Sequence, residues 1–564
     1  MIFTANSNFE KLYGISEYDY FSNIPLTFEC LEDTTGWTVS FSVSDVVLSN
    51  ISNEHDDFSV SYSVDEGETW TTLYAEDVKQ CDAWQEILED TDMYEIKVEA
   101  TGNKIMFKGI AEQWAIDEED EYGEPFFSCF TSNKKHKVYG NVESLEYTEK
   151  LYYMNLFSPG ITSNSTLVDA RYLILPATTL TYNCYANMFQ GCRSLVNAPT
   201  LSATTLANSC YQSMFSGCAS LTKAPELPAI TLASSCYGSM FQNCTALTKA
   251  SALPATTLAG SCYSGMFRNC TSLTTAPVLP ATTLASSCYS GMFNGCTSLT
   301  TAPTILPATT LAQQCYANMF KGCTALTKAP KLSATTLVKN CCEYMFQNCT
   351  ALTTVPDLSA TELAYQCYQY MFNGCTSLTK APEISATTLG EGCCLSMFKD
   401  CTSLTTIPKL PATTLSNYCY SDMFHGCTSL TTAPEINGST LARGCYANMF
   451  FGCTGLTSAP ELNATSLAQQ CYSYMFYGCN SLVNAPDLPA TTLVSGCYED
   501  MFDGCTNLNH IKALFTTTPS DTYTKDWLKN VAATGTFVKN STATWTTTGV
   551  SAVPTGWTIE TADL

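Results

Sequence analysis

Two cysteines eight residues apart recur along this chain: Cys184 and Cys192, Cys210 and Cys218, Cys288 and Cys296, and onward to Cys497 and Cys505. Thiolates that hold zinc usually sit two to four residues apart, and a disulfide needs Cα atoms within about 7 Å. A spacing of eight suits neither use, since on a helix it separates the pair by about 12 Å. Only four histidines, His55, His136, His425 and His510, could complete a metal site. Cysteine also packs well as a small buried residue. The pairs, typified by Cys184, Cys192, Cys288 and Cys296, are therefore expected to be reduced core thiols, with bridges between repeats as the alternative; no metal and no cofactor is expected.

A second cluster, Ser63, Asp65, Gly67, Thr69 and Trp70, matches the turn S-x-D-x-G-x-T-W familiar from sialidases. Catalysis of that kind needs an arginine cluster for the substrate carboxylate, yet the first arginine is Arg171. The structural reading is that Asp65 caps its own turn and Trp70 packs beneath it. Asp117, Glu119 and Glu121 miss the EF-hand spacing and read as a solvated acidic loop. No paired His and Ser and no phosphate-binding loop occur, so the chain reads as non-enzymatic. A glycan-active enzyme stays a weaker alternative, because two glycosidase carboxylates would go unnoticed among so many acids.

The 564 residues carry a formal charge of −25, and residues 1–150 hold 32 acidic residues against 9 lysines. No basic stripe is present to release counterions, which argues against nucleic acid. No apolar run of about 18 residues suggests membrane insertion, and the start, MIFTANSNFEKLYG, lacks a secretory pattern. The expectation is a chain not addressed for export, or one that reaches its workplace by assembly into a virus particle.

What must position these residues is a repeat. From Leu175 to Ile511 a unit close to L-P-A-T-T-L-A-x-x-C-Y-x-x-M-F-x-G-C-T-S-L-T-x-A-P-x returns thirteen times with a period of 26. Such self-similarity marks a solenoid whose coils bury their apolar side by stacking. Leu284, Cys288, Met292 and Cys296 lie four apart, which predicts a short helix with its constant side inward. Gly295 and its counterparts, Gly, Asn or Asp, would close that helix in a left-handed conformation, and TSLTTAP would follow as a short strand.

The predicted architecture is thus an α/β repeat solenoid of about 13 coils, preceded by an all-β sandwich-like domain and followed by a small cap. The domains are an acidic β-rich anchor (1–150), a linker and N-terminal solenoid cap (151–174), the solenoid (175–511) and a C-terminal cap (512–564). Residues 37–43, 58–74, 103–109 and 135–142 read as strands, 58–74 as a hairpin. All seven tryptophans lie outside the repeats.

The recurring MFNGCTSL (292–299) and MFHGCTSL (423–430) resemble the BspA-like leucine-rich repeat, although each unit here is some three residues longer and has Met where that family often has Ala. The resemblance implies a surface or adhesion protein of Bacteroides-type bacteria or their phages. Among the varying outward positions, later repeats carry Tyr344, Tyr365, Tyr370, Tyr418, Phe451, Tyr474 and Tyr477, which form the candidate ligand surface. The expected function is a phage virion protein, of tail-fibre or receptor-binding type, that contacts a host cell-surface protein or glycan. The N-terminal domain would join other virion or surface proteins, and a homo-oligomer is possible. A bacterial cell-surface adhesin is the alternative, and a structural surface layer a weaker one.

Overall fold

The computed structural model describes residues 21–44, 58–73, 79–80, 93–111, 130–146, 153–158 and 165–562. Asp117, Glu119 and Glu121 lie outside them. The chain divides into two compact units, Met1–Val278 and Leu279–Leu564, taken in turn.

Among the described residues the first unit opens with the strands β1 (Leu26–Cys30), β2 (Thr38–Ser44), β3 (Phe58–Ser63), β4 (Thr71–Leu73), β5 (Lys79–Gln80), β6 (Met93–Glu99), β7 (Lys104–Ala111), β8 (Phe130–Ser132), β9 (His136–Asn141), β10 (Leu145–Glu146) and β11 (Leu167–Ile174). One sheet runs β11-β9-β1-β7-β3-β4, with β10 beside β7, and a second runs β5-β6-β2-β8. Phe28 and Phe107 of the first sheet meet Phe41 and Phe130 of the second with ring centroids 5.0–6.1 Å apart. Alternating apolar residues on facing sheets thus build the expected sandwich core.

β11 does double duty. It pairs in parallel with β9, and its Asp169 bridges to Asn197 of the first coil. Just upstream, Tyr153, Asn155 and Phe157 donate their amides to the carbonyls of Cys184, Ala186 and Met188. Tyr153 stacks on Tyr185 at 5.6 Å, and Phe157 on Phe189 at 5.2 Å. The segment read as linker and cap therefore contains an additional turn of the solenoid's own kind.

The coils themselves correct one expectation. The segment predicted as a helix is a run of overlapping turns. In the first coil the amides of Cys184, Ala186, Met188, Gln190 and Cys192 donate three residues back, to Thr181, Asn183, Tyr185, Asn187 and Phe189. The intervening amides of Asn183, Tyr185, Asn187, Phe189 and Gly191 donate to the next coil, to Asn208, Cys210, Gln212, Met214 and Ser216. An α-helix would consume every amide internally; here half of them tie coil to coil.

The alternation requires a left-handed residue every fourth position, as at Asn183, Asn187 and Gly191, with φ of 55°, 54° and 77°. The pattern holds in all thirteen repeats. The glycine before the second cysteine is thus the third of three such positions, not a helix cap. Four-residue spacing also puts Leu180, Cys184, Met188 and Cys192 inside, at 5% exposure or less. That the inward face is set every four residues is common to both conformations, which is why the apolar pattern suggested a helix. The helical separation of about 12 Å within a cysteine pair consequently does not apply.

The second unit repeats this coil. Its neighbours are joined by parallel bridges such as Leu358 to Ile384, Lys380 to Thr406 and Thr414 to Thr440. Two-residue strands pair as β12 (Ile305–Leu306) with β13 (Lys331–Leu332), and β14 (Glu362–Leu363) with β15 (Thr388–Leu389). The strand expected over each TSLTTAP shrinks to single bridge residues, because the proline that follows has no amide to extend a ladder. At the C-terminal end β16 (His510–Ala513), β17 (Thr536–Asn540) and β18 (Thr558–Ala562) form a parallel sheet. There the indoles of Trp527, Trp545 and Trp557 donate to the carbonyls of Ala552, Phe515 and Ala532.

Candidate functional site

The thiols come first, being the most numerous reactive groups. All 29 described cysteines are buried thiols outside any disulfide; Cys81 and Cys129 lie outside the described residues. Burial pushes the Cys184 and Cys192 thiols up to about 12, so they stay protonated, poor nucleophiles at neutral pH. Cys288 and Cys296 are fully buried as well, and Gly295 has φ of 76°. Among the described residues no group of three or more His, Cys, Asp or Glu could hold a metal ion.

In the N-terminal sandwich, Asp65 accepts from the Thr69 amide at 2.9 Å and from the Thr69 hydroxyl, while Ser63 Oγ donates to it at 2.7 Å. Those bonds, Thr69's foremost, hold its carboxyl down at about 2. The Trp70 indole donates to Gly67 O at 3.2 Å, and Lys108 lies 4.0 Å from the ring centroid. Every polar group of the motif is spent on the turn itself.

The seven aromatic residues of the candidate surface all belong to the second unit. Tyr344 and Tyr370, one coil apart, stack at 4.8 Å, with Lys321 5.2 Å from the Tyr344 centroid. Phe451 lies between His425 and Tyr477, 4.5 Å from each. Tyr474 meets Tyr477 at 6.1 Å and 43°. Tyr365 is covered by Lys339 at 5.1 Å and Tyr418 by Arg443 at 5.8 Å. The seven residues thus form two ladders and two cation-covered rings rather than one pocket.

His425, Lys321, Lys339 and Arg443 join this surface without having been singled out in the sequence. The signal was there for His425, since 425, 451 and 477 are successive members of one 26-residue column. His425 Nδ1 lies 3.1 Å from Asp422, which also takes the Ser421 hydroxyl at 2.9 Å. Beyond Tyr477 stand the acids Glu499, Asp500 and Asp503, of which Asp500 and Asp503 are buried and Glu499 pairs with Lys525 at 3.5 Å. Burial raises the Asp500 carboxyl above its ordinary range, and burial next to Asp500 lifts the Tyr474 phenol to about 12.

Tyr344, Tyr370, Tyr418 and Tyr474 occupy left-handed positions, with φ of 53–56°. Elsewhere in those columns stand mainly Gly, Asn and Ser, and the bulky side chain costs about 1–2 kcal/mol there. Stacking returns about 0.5–1.5 kcal/mol at best.

Coil, ladder and turn face define a leucine-rich-repeat solenoid, a fold typically used as a non-enzymatic scaffold for protein interaction. The BspA-type leucine-rich repeat model matches residues 171–300, 287–431 and 423–539, and the chain belongs to that family. Repeats of this type suggest a surface or adhesion protein, and no enzyme family is found. No curated protein and no solved structure matches the chain. Among the described residues no helix is long and apolar enough to cross a membrane.

Proposed function

We propose that the chain is a non-enzymatic recognition protein that attaches its bearer to a cell surface through the turn face of the later coils. Tyr344, Tyr365, Tyr370, Tyr418, Phe451, Tyr474 and Tyr477 make the contact. The observation that carries this reading is the four tyrosines at left-handed φ. The turn needs only a left-handed backbone there, which Gly, Asn or Ser supplies elsewhere in those columns, so the tyrosine rings add nothing the turn requires and are read as serving contact.

The bearer in this reading is a phage particle, with the acidic N-terminal domain joined to other virion proteins and the solenoid turned to the host bacterium. A bacterial cell-surface adhesin that binds a host protein or glycan is the second reading, favoured by the family's repeats. Labelled full-length chain applied to a panel of candidate host bacteria tests the contact. Changing Tyr365, Tyr370, Tyr474 and Tyr477 together to Ala should cut attachment at least tenfold, and undiminished attachment rejects the surface. Mass spectrometry of purified particles and of cell envelopes decides the bearer: absence from particles with presence in envelopes rejects the virion.

A further inference from the structure

We infer that Asn437–Gly438 is a covalent modification site of the solenoid, where the asparagine cyclises onto its own backbone and opens to aspartate or isoaspartate. Asparagine is among the thermolabile residues. The chain contains three Asn–Gly pairs, Asn294–Gly295, Asn373–Gly374 and Asn437–Gly438. Glycine favours the reaction in each, because without a Cβ its nitrogen is unshielded and its backbone free to bend back. The fold then treats the three differently.

In the first two pairs the glycine is the left-handed residue before the second cysteine, with φ of 76° and 73°. Its amide is one of those that tie coil to coil: Gly295 N donates to Lys321 O at 2.7 Å, and Gly374 N to Lys399 O at 2.8 Å. Asn373 is held as well, since its Nδ2 donates to Lys399 O at 2.9 Å and its Oδ1 accepts from Gln347 Nε2 at 2.7 Å. A nitrogen engaged in this way turns on the neighbouring side chain only by giving up its bond and the turn. Asn437 escapes both restraints. It stands where Pro411 stands one coil earlier, exposed to solvent. Among the described residues no carbonyl accepts the Gly438 amide. Alongside lies the Tyr446 phenol, whose own oxygen has no hydrogen bond.

The step needs water and no oxidant. The Gly438 nitrogen loses its proton to solvent base and attacks Cγ of Asn437; the N–Cγ bond forms, the Cγ–Nδ2 bond breaks, and Nδ2 takes up a proton and leaves as ammonia. Water then opens the cyclic imide at either carbonyl. Opening at Cγ gives aspartate, whereas opening at the backbone carbonyl gives isoaspartate, whose main chain runs through the side chain and is one carbon longer. That carbon falls between two ties to the preceding coil. On one side Leu410 N donates to Glu435 O at 3.3 Å, and on the other the Ser439 and Thr440 amides donate to Thr413 O at 3.0 and 3.1 Å. Both cannot keep register, so the isoaspartyl chain loses one of them.

Full-length chain kept at pH 8 for days, digested and read by mass spectrometry, with isoaspartyl methyltransferase marking the rearranged product, tests the site. Asn437 should convert at least tenfold faster than Asn294 and Asn373. It should also outpace Asn463 by as much, which holds the same exposed place one coil on but precedes Ala464. In denaturant the three Asn–Gly pairs should convert within severalfold of one another. Native conversion at Asn437 no faster than at Asn294 or Asn373 overturns the inference. So does a difference that persists in denaturant, which would assign it to neighbouring residues rather than to the fold. Asn437→Ser, which copies Ser385 of the same column, should keep its urea midpoint on storage while the parent's falls; equal loss in both rejects the effect on the coil.

Discussion

The thiol of Cys218 donates to the carbonyl oxygen of Phe189, one coil back, at 3.1 Å, and the amide of Cys192 donates to the same oxygen at 3.1 Å. The pairing returns in both units, for instance from Cys244 to Phe215 at 3.1 Å and from Cys349 to Phe320 at 3.0 Å. The second cysteine of each repeat is thus a small apolar filler with one directed bond. It stitches each coil to the last through an oxygen already satisfied from within.

Replacing Cys375 with Ala removes its bond to Phe346 O, 3.2 Å long, and leaves that oxygen the Cys349 amide at 3.1 Å. With no acceptor orphaned, the loss should be about 1–2 kcal/mol, read as a lowered urea midpoint.

Because burial raises most of the repeat thiols, many of them to about 12, while a hydrogen bond with Cys342 lowers the buried Cys341, a disulfide reagent at pH 8 should find almost none of them in the native chain. In denaturant it should titrate all 31. Appreciable native labelling at Cys184 or Cys192 would contradict their placement.

The turn geometry makes a prediction opposite in sign to that of a helix. Ser213 has φ of 53°, and Gly265 and Gly291 hold the same place in later coils. Ser213→Gly should therefore raise stability by about 0.5–1 kcal/mol, whereas in a helix it would lower it. Gly217→Ala, at φ 78°, should cost about 1–2 kcal/mol. The denaturant melt of Ser213→Gly decides between the conformations, because a left-handed glycine at 217 is common to both.

His136 is buried, with Nδ1 3.1 Å from Lys134 O and 3.4 Å from Thr166 Oγ1, and its ring is tilted against Phe28. Burial pushes it down to about 4 from 6.5. The unfolded chain takes up this proton below pH 6.5 while the folded chain refuses it until about pH 4. Its contribution is thus intact above 6.5 and lost as the pH falls towards 4, by about 3 kcal/mol in all. His136→Gln should flatten that part of the stability profile; equal pH dependence in parent and variant would refute it.

For Asp65 the sign works the same way. Its carboxyl, held at about 2 against an ordinary 3.8, stabilises the turn fully above 3.8 and ceases to as the pH drops through 2. Carboxyl chemical shifts of Asp65 should titrate well below those of other aspartates, and Thr69→Val should return them towards the ordinary range.

Much of this was legible beforehand. Strands at residues 37–43, 103–109 and 135–142 follow alternation that any half-buried sheet demands, and β2, β7 and β9 occupy those places. β1, β6 and β11 went unread, β11 because it serves a sandwich sheet and the first coil together, so that neither period shows cleanly. The aromatic columns could be listed from the repeat, but not that their rings would cover one another, which depends on coils meeting 26 residues apart.

The sequence by itself determined the period, the inward columns and the positions that tolerate a left-handed backbone, because each follows from residue type at a fixed spacing. Only the tertiary structure decided what conformation those positions serve. Leu, Cys, Met and Cys every four residues fit a helix or a chain of turns equally well, and the choice lies in where alternate amides find their partners, on the neighbouring coil, which no single repeat contains.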